Sequence, residues 1–146
     1  MSSLPEPIRA FLADHHVLSL AMHANGTTWA ASAFFAHDEQ ARRFLFLTAT
    51  ETLHGQMLLA NADVAGTVAG QPLLISEVCG LQFRGSVRVL EDPDEQRAAL
   101  DLYYARFPQA RGMSAPIWEI RLAQLKLTDN RKGFGNKLLW DNPEGG

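Results

Sequence analysis

Trp118-Glu119-Ile120-Arg121-Leu122-Ala123-Gln124-Leu125-Lys126-Leu127-Thr128 is the stretch that decides how this chain folds. Its apolar residues keep a two-residue period through Ile120 and Leu122, then resume at Leu125 and Leu127 in the opposite parity. Side chains of a strand alternate between faces, so all four reach one side only if a residue is looped out between them. The spacing predicts a β-bulge at Ala123-Gln124 that bends the strand and turns a barrel corner. A second alternating run lies in Leu73–Leu90, where Leu81, Phe83, Val87 and Val89 interleave with Gln82, Arg84, Ser86 and Arg88. Gly85 leaves that pleat without a side chain, the mark of a bulge or of another backbone passing close by.

Working outward, the remaining segments read mostly as strands joined by short turns. Ser3 and Glu6 form a capping box with Pro5 in the first turn, opening a helix that carries Ile8, Phe11 and Leu12 and ends near His15. Val17–His23 and Thr27–Phe35 flank Asn25-Gly26, a two-residue hairpin signal. Phe44-Leu45-Phe46-Leu47-Thr48 is apolar at consecutive positions, as in a strand buried on both faces. Thr50 is placed to cap a helix from Glu51 to about Ala60. Val64–Ala69 is strand-like and is turned by Gly70-Gln71-Pro72. Asp92-Pro93-Asp94-Glu95 begins a helix with a cap, an early proline and first-turn acids, and Pro108 stops it after Phe107. Six or seven strands without regular βαβ alternation, plus three helices, predict a mainly β, antiparallel barrel with flanking helices. We expect one domain over 1–140 and a frayed tail over 141–146.

Composition narrows the function classes. Thirteen Lys and Arg against sixteen Asp and Glu give a net charge of −3, which argues against general nucleic-acid binding. A lone cysteine, Cys79, excludes an internal disulfide and a cysteine zinc site, and reads as a small buried hydrophobe. Apolar stretches break before the ~20 residues of a spanning helix, and the N-terminus lacks a basic start followed by an apolar run. We expect a cytoplasmic protein without a membrane segment. His15, His16, His23, His37 and His54 make neither HxH nor HExxH spacing, so no metal site is expected. No GxSxG motif is present, and Gly133-Phe134-Gly135-Asn136-Lys137 fits a turn better than a phosphate loop. No residue stands out as a catalytic acid or base. The most suggestive chemistry is Thr48-Ala49-Thr50-Glu51-Thr52-Leu53-His54, where hydroxyls gather at a strand-to-helix junction. Free N–H groups and the helix dipole there favour an anion, while simple capping explains the same residues equally well.

The order of these motifs resembles a known family. Ala33-Phe34-Phe35, Leu47-Thr48 with Thr52-Leu53-His54-Gly55-Gln56-Met57, Val64–Pro72 and Gly80–Gly85 carry the likeness in the first part of the chain. Arg106-Phe107-Pro108, Ser114–Leu122, Thr128-Asp129-Asn130 and Gly133-Phe134-Gly135 continue it. The chain resembles the small bacterial YhbP proteins, a branch of the pyridoxamine 5′-phosphate oxidase-like FMN-binding split barrels. That resemblance implies an antiparallel split β-barrel, a homodimer with FMN at the subunit interface, and flavin-dependent oxidoreductase chemistry on a small molecule. Carried over by position, Ser32 and Ala33 would lie near the flavin ring, and Thr48, Thr50, Thr52 and His54 on the phosphate side. Gln82 and Arg84 would project from a flanking strand, and Trp118 would stand at the far wall. The family's Lys or Arg in the phosphate segment is replaced here by Glu51 and Leu53. An acidic neighbour opposes a phosphate monoester, so two alternatives stay open: a non-enzymatic binder of haem or another planar ligand, and a cofactor-free structural dimer.

Overall fold

The computed structural model describes residues 4–145. In chain order the elements are α1 (Glu6–Asp14), β1 (Val17–Ala24), β2 (Thr27–Phe34), β3 (Ala36–Asp38), β4 (Arg43–Leu47) and α2 (Leu53–Ala60). They are followed by β5 (Asp63–Ala69), β6 (Cys79–Val89), α3 (Pro93–Arg106), β7 (Ile117–Asp129) and β8 (Lys137–Asp141). The strands form one antiparallel sheet in the order β2-β1-β5-β6-β7-β4-β3, with β8 also paired to β7. The two ends of this path, β2 and β3, are separated in the chain by Phe35 alone. A flat sheet cannot bring its opposite edges together, so this one curls into a barrel split between β2 and β4. The eight strands exceed the expected six or seven through β3, of three residues, and β8, of five, which pair to β4 and β7.

The expected bulge lies at Ala123. Arg84 pairs with Gln124 and Gly85 with Leu122, leaving Ala123 without a partner on β6. On its other edge β7 pairs with β4 through Arg121 and with β8 from Gln124 onward. The bulge is therefore where one long strand changes neighbours. Ile120, Leu122, Leu125 and Leu127 all enter the same core despite their change of parity. Gly85 faces the bulge, and a Cβ there would collide with the Arg121 carbonyl oxygen. Glycine is required because the two backbones nearly touch.

Two packed clusters result. The barrel interior holds Leu18, Leu20, Phe44, Phe46, Phe83, Trp118 and their neighbours. A second cluster under α3 takes Leu45, Leu90, Ala99, Tyr103, Phe107 and Ile117. β4 and β7 stand between them, which is why Phe44–Phe46 is buried at every position. Glu119, 5% exposed, is held at this junction by Arg43 (2.9 Å) and Arg88 (2.6 Å). Those arginines also pair with Asp38 and Glu95, so one chain of charges ties β3, β4, β6, β7 and α3 together. A buried carboxylate needs such partners.

Several expectations are adjusted. The Ser3 half of the capping box lies outside the described residues, and α1 starts at Glu6 behind Pro5. The tail is anchored through Glu144: the Asn142 backbone N–H donates to the Ala123 carbonyl and its side-chain amide to Leu122. Asn142 thereby bonds the carbonyls of Ala123 and Leu122 beside the bulge; Gly146 lies outside the described residues. Among the described residues no helix is long and apolar enough to cross a membrane. Cys79 is half-buried and burial pushes its thiol pKa up, away from a reactive thiolate.

These features set two stability tests. Gly85→Ala is expected to cost about 2–3 kcal/mol in urea unfolding, because overpacking against backbone cannot be relieved by a rotamer change. Gly112→Ala, with open space at its Cβ, serves as the control. His37 has its pKa lowered to about 4, chiefly by burial, and its Nε2 has no hydrogen-bond partner. The unfolded imidazole protonates near 6.5, so this group's contribution is complete above that pH and is lost as pH falls toward 4. The acid loss amounts to at most about 3 kcal/mol. His37→Phe, which keeps a ring against Phe44 but cannot titrate, is expected to flatten that part of the stability–pH curve.

Candidate functional site

A cavity of about 380 Å³ opens in the split of the barrel. Its floor is apolar: Leu20 and Met22 from β1 and Phe46 from β4. Phe107 and Met113, at the end of α3 and just beyond the turn Pro108–Gly112, supply the opposite wall. These walls follow from the strand alternation, since Leu20 and Met22 occupy inward positions of β1. The polar rim comes from Ser32, Thr48, His54, Tyr103 and Gln109.

The strand-to-helix junction positions two of those groups. Thr52, not Thr50, caps α2: its hydroxyl accepts from Gly55 N–H at 3.0 Å and donates to the Ala49 carbonyl at 2.9 Å. The Thr50 carbonyl is taken by the Gln56 amide at 2.7 Å, and the Thr50 hydroxyl donates to Glu51. The helix consequently begins at Leu53, two residues later than expected. Gly55 lets α2 seat against this turn, for a Cβ there would collide with the Ala49 carbonyl oxygen. With the turn held tightly, His54 in the first helical turn reaches back over the end of β4. Its Nε2 shares a hydrogen bond of 2.5 Å with Thr48 Oγ1. Beneath them the Trp118 indole N–H donates to the Thr48 carbonyl at 2.9 Å.

The nine residues singled out from the sequence therefore separate into three groups. Ser32, Ala33, Thr48 and His54 line the cavity. Thr50 and Thr52 spend their hydroxyls on local contacts, and fully buried Trp118 supports Thr48 from behind. Gln82 and Arg84 lie on the outer face of β6, where Arg84 donates to Gln124 at 3.2 Å. They do not reach the cavity of their own chain. The reading from sequence omitted Tyr103, Phe107, Gln109 and Met113. Pro108 marks the helix end correctly, but only tertiary packing shows that the following turn folds back over β2. Tyr103 donates its hydroxyl to the Phe34 carbonyl at 3.1 Å, and burial pushes its pKa up.

Among the described residues, none that lines the cavity is a Lys, Arg, Asp or Glu. Arg106, near by in sequence, is turned away to cap α1, donating to the His15 carbonyl at 2.5 Å and to Leu12 at 3.3 Å. The site is thus a mostly apolar slot with neutral hydrogen-bonding groups at its rim, suited to a flat conjugated ring. Among the described residues no group of three or more His, Cys, Asp or Glu is placed to hold a metal ion.

Comparison with known proteins agrees with this architecture. The pyridoxamine 5′-phosphate oxidase family profile matches residues 4–128. The UPF0306 protein YhbP of Salmonella paratyphi A is 47% identical over 133 residues, covering 91% of this chain and 90% of that protein. A heme binding protein from Mycobacterium smegmatis superposes with a TM-score of 0.70 at 17% identity, over 96% of this chain and 60% of that one. An FAD-binding protein from Mesorhizobium loti superposes with a TM-score of 0.67 at 12% identity, over 86% and 95%. At those identities the structural likeness establishes the fold, and the sequence likeness establishes the kinship. The chain belongs to the YhbP (UPF0306) family, a branch of the pyridoxamine 5′-phosphate oxidase-like split barrels.

Proposed function

We propose that this chain binds the isoalloxazine ring of FMN in the split-barrel cavity and serves as a flavin-dependent oxidoreductase for a small molecule. The observation that carries the reading is the slot itself: apolar walls from Leu20, Met22, Phe46, Phe107 and Met113, closed at one end by Ser32 and the Thr48–His54 pair. A bound flavin would supply two-electron and one-electron redox chemistry. The residues of this chain bind, orient and exclude water. The apolar walls desolvate the ring faces, and the Gln109 amide at the rim is placed to meet its polar edge. Haem is less well served, because His54 Nε2 is already bonded to Thr48.

We propose further that the working unit is a homodimer. The outer face of β1, β2 and β5 presents Ser19, Ala21, Ala30, Ala65 and Thr67, all exposed. A solvated sheet face ordinarily carries longer polar side chains, whereas a flat surface of Ala, Ser and Thr allows a second backbone to approach closely. Gln82 and Arg84 border this face. A second copy packed there would bury them in the interface.

The test is flavin fluorescence on titrating the purified chain, with the mass in solution measured on the same sample. Saturable quenching in the micromolar range and a mass of two chains are expected. Ala33→Phe fills the slot and should weaken binding roughly tenfold or more. Absence of both quenching and thermal stabilisation at high micromolar FMN would remove the flavin reading. A single-chain mass would remove the dimer.

A further inference from the structure

We propose that the tips of two neighbouring loops form a surface that docks this chain on an anionic lipid bilayer. The first is the connection from β5 to β6, residues 70–78, which carries Leu73, Leu74, Ile75 and Val78. The second is the Gly133-Phe134-Gly135 turn between β7 and β8, a motif for which the cavity has no use. Leu73 is fully exposed, Phe134 is 88% exposed and Ile75 71%. Single apolar side chains on a surface are commonplace, whereas a contiguous group of them marks an interaction site.

Hydrogen bonds hold the two tips side by side. The Asn130 side-chain amide donates to the Ile75 carbonyl at 3.0 Å, and its backbone N–H donates to the Val78 carbonyl at 2.8 Å. The same side chain accepts from the Gly135 N–H at 2.9 Å, so one asparagine ties both loops. Gly133 and Gly135 take φ of 117° and 74°, a region that favours glycine, and the turn they make presents Phe134 to solvent. In the first loop the Glu77 and Val78 N–H groups donate to the Leu74 and Ile75 carbonyls. These backbone groups are satisfied within the protein while the apolar side chains beside them face outward. Such a surface can enter a lipid interface without stranding a polar backbone group there.

The charges around the tips select the occupant. The chain carries a net charge of −3, yet its three lysines, Lys126, Lys132 and Lys137, all fall within residues 126–137. Lys137 and Leu139 share one face of β8 by strand alternation, and Leu139 pairs across to Lys126. Leu139 is exposed as well, which carries the apolar and basic surface from Phe134 along β8. Arg131 is spent on Asp129 at 2.8 Å. Glu6, Asp14 and Glu77 line a groove beside α1 together with Lys132. The lysines of β7 and β8 therefore flank the tips on the other side, placed for lipid phosphates when Leu73, Ile75 and Phe134 enter the headgroup layer. A second copy is a poorer occupant, because a two-fold axis through this patch would set its lysines against their own counterparts.

Co-sedimentation of the full chain with vesicles tests this. Binding is expected to vesicles of mixed phosphatidylcholine and phosphatidylglycerol, and roughly tenfold weaker or less to phosphatidylcholine alone. Raising the salt to about 0.5 M should weaken it by a similar factor. Phe134→Ser and Leu73→Ser should each lower vesicle affinity roughly tenfold, with the melting curve unchanged because both side chains are exposed. Lys132→Gln combined with Lys137→Gln should abolish the preference for the anionic vesicle. Failure to sediment with either vesicle at low salt would overturn the proposal, as would equal binding to both. So would a Phe134→Ser chain that drops from two copies to one in solution, since the patch would then belong to a subunit contact. None of these outcomes depends on whether the cavity takes a flavin.

Discussion

The close passage of the β6 and β7 backbones at Gly85 is the constraint on which the rest of this structure depends. No side chain fits between Gly85 and the Arg121 carbonyl, and the residue looped out opposite, Ala123, resets the facing of everything after it. One strand can then pair with β4 in its first half and β8 in its second while keeping β6 along its whole length. That arrangement curls the sheet and leaves it split between β2 and β4. It also buries Trp118 where its indole meets the Thr48 carbonyl, so the bulge and the site are linked through one side chain.

Much of this was legible before any coordinates. The phase change across Ala123-Gln124, the missing side chain at Gly85, the run of buried residues in β4 and the capped start of α3 are local patterns, and local patterns survive folding. What escaped was decided by partners distant in sequence. Glu119 reads as an outward polar residue of an alternating strand, yet it is buried because Arg43 and Arg88 converge on it from β4 and β6. The sequence pointed to Thr50 as the cap of α2, but Thr52 fills that place. The choice fell to Thr52 because Gly55 allows α2 to seat under the Ala49 carbonyl, placing the Gly55 N–H within reach of Thr52. β3, at three residues, is too short to signal itself, and β8 pairs along β7 beyond the end of β4.

The same distinction applies to the site. Ser32, Ala33, Thr48 and His54, which the family resemblance singles out, line the cavity. The wall made by Tyr103, Phe107 and Met113 was not legible, because a helix end and its following turn carry no periodic signal for what they cover. The outcome is a cavity with apolar walls and a neutral rim in a fold whose solved neighbours include a heme binding and an FAD-binding protein. Fold alone does not choose between such ligands. The choice made here rests on the shape of the slot and on the hydrogen bond that already engages His54.

Methionine methyl NMR tests the central claim, that the slot is where a planar ring binds, most directly. Four methionines give a spectrum simple enough to assign. Met22 and Met113 line the cavity, whereas Met57 is packed in the barrel core. Adding riboflavin should impose ring-current shifts on the Met22 and Met113 methyls and leave Met57 nearly unmoved. Binding that shifts neither Met22 nor Met113 would contradict the account.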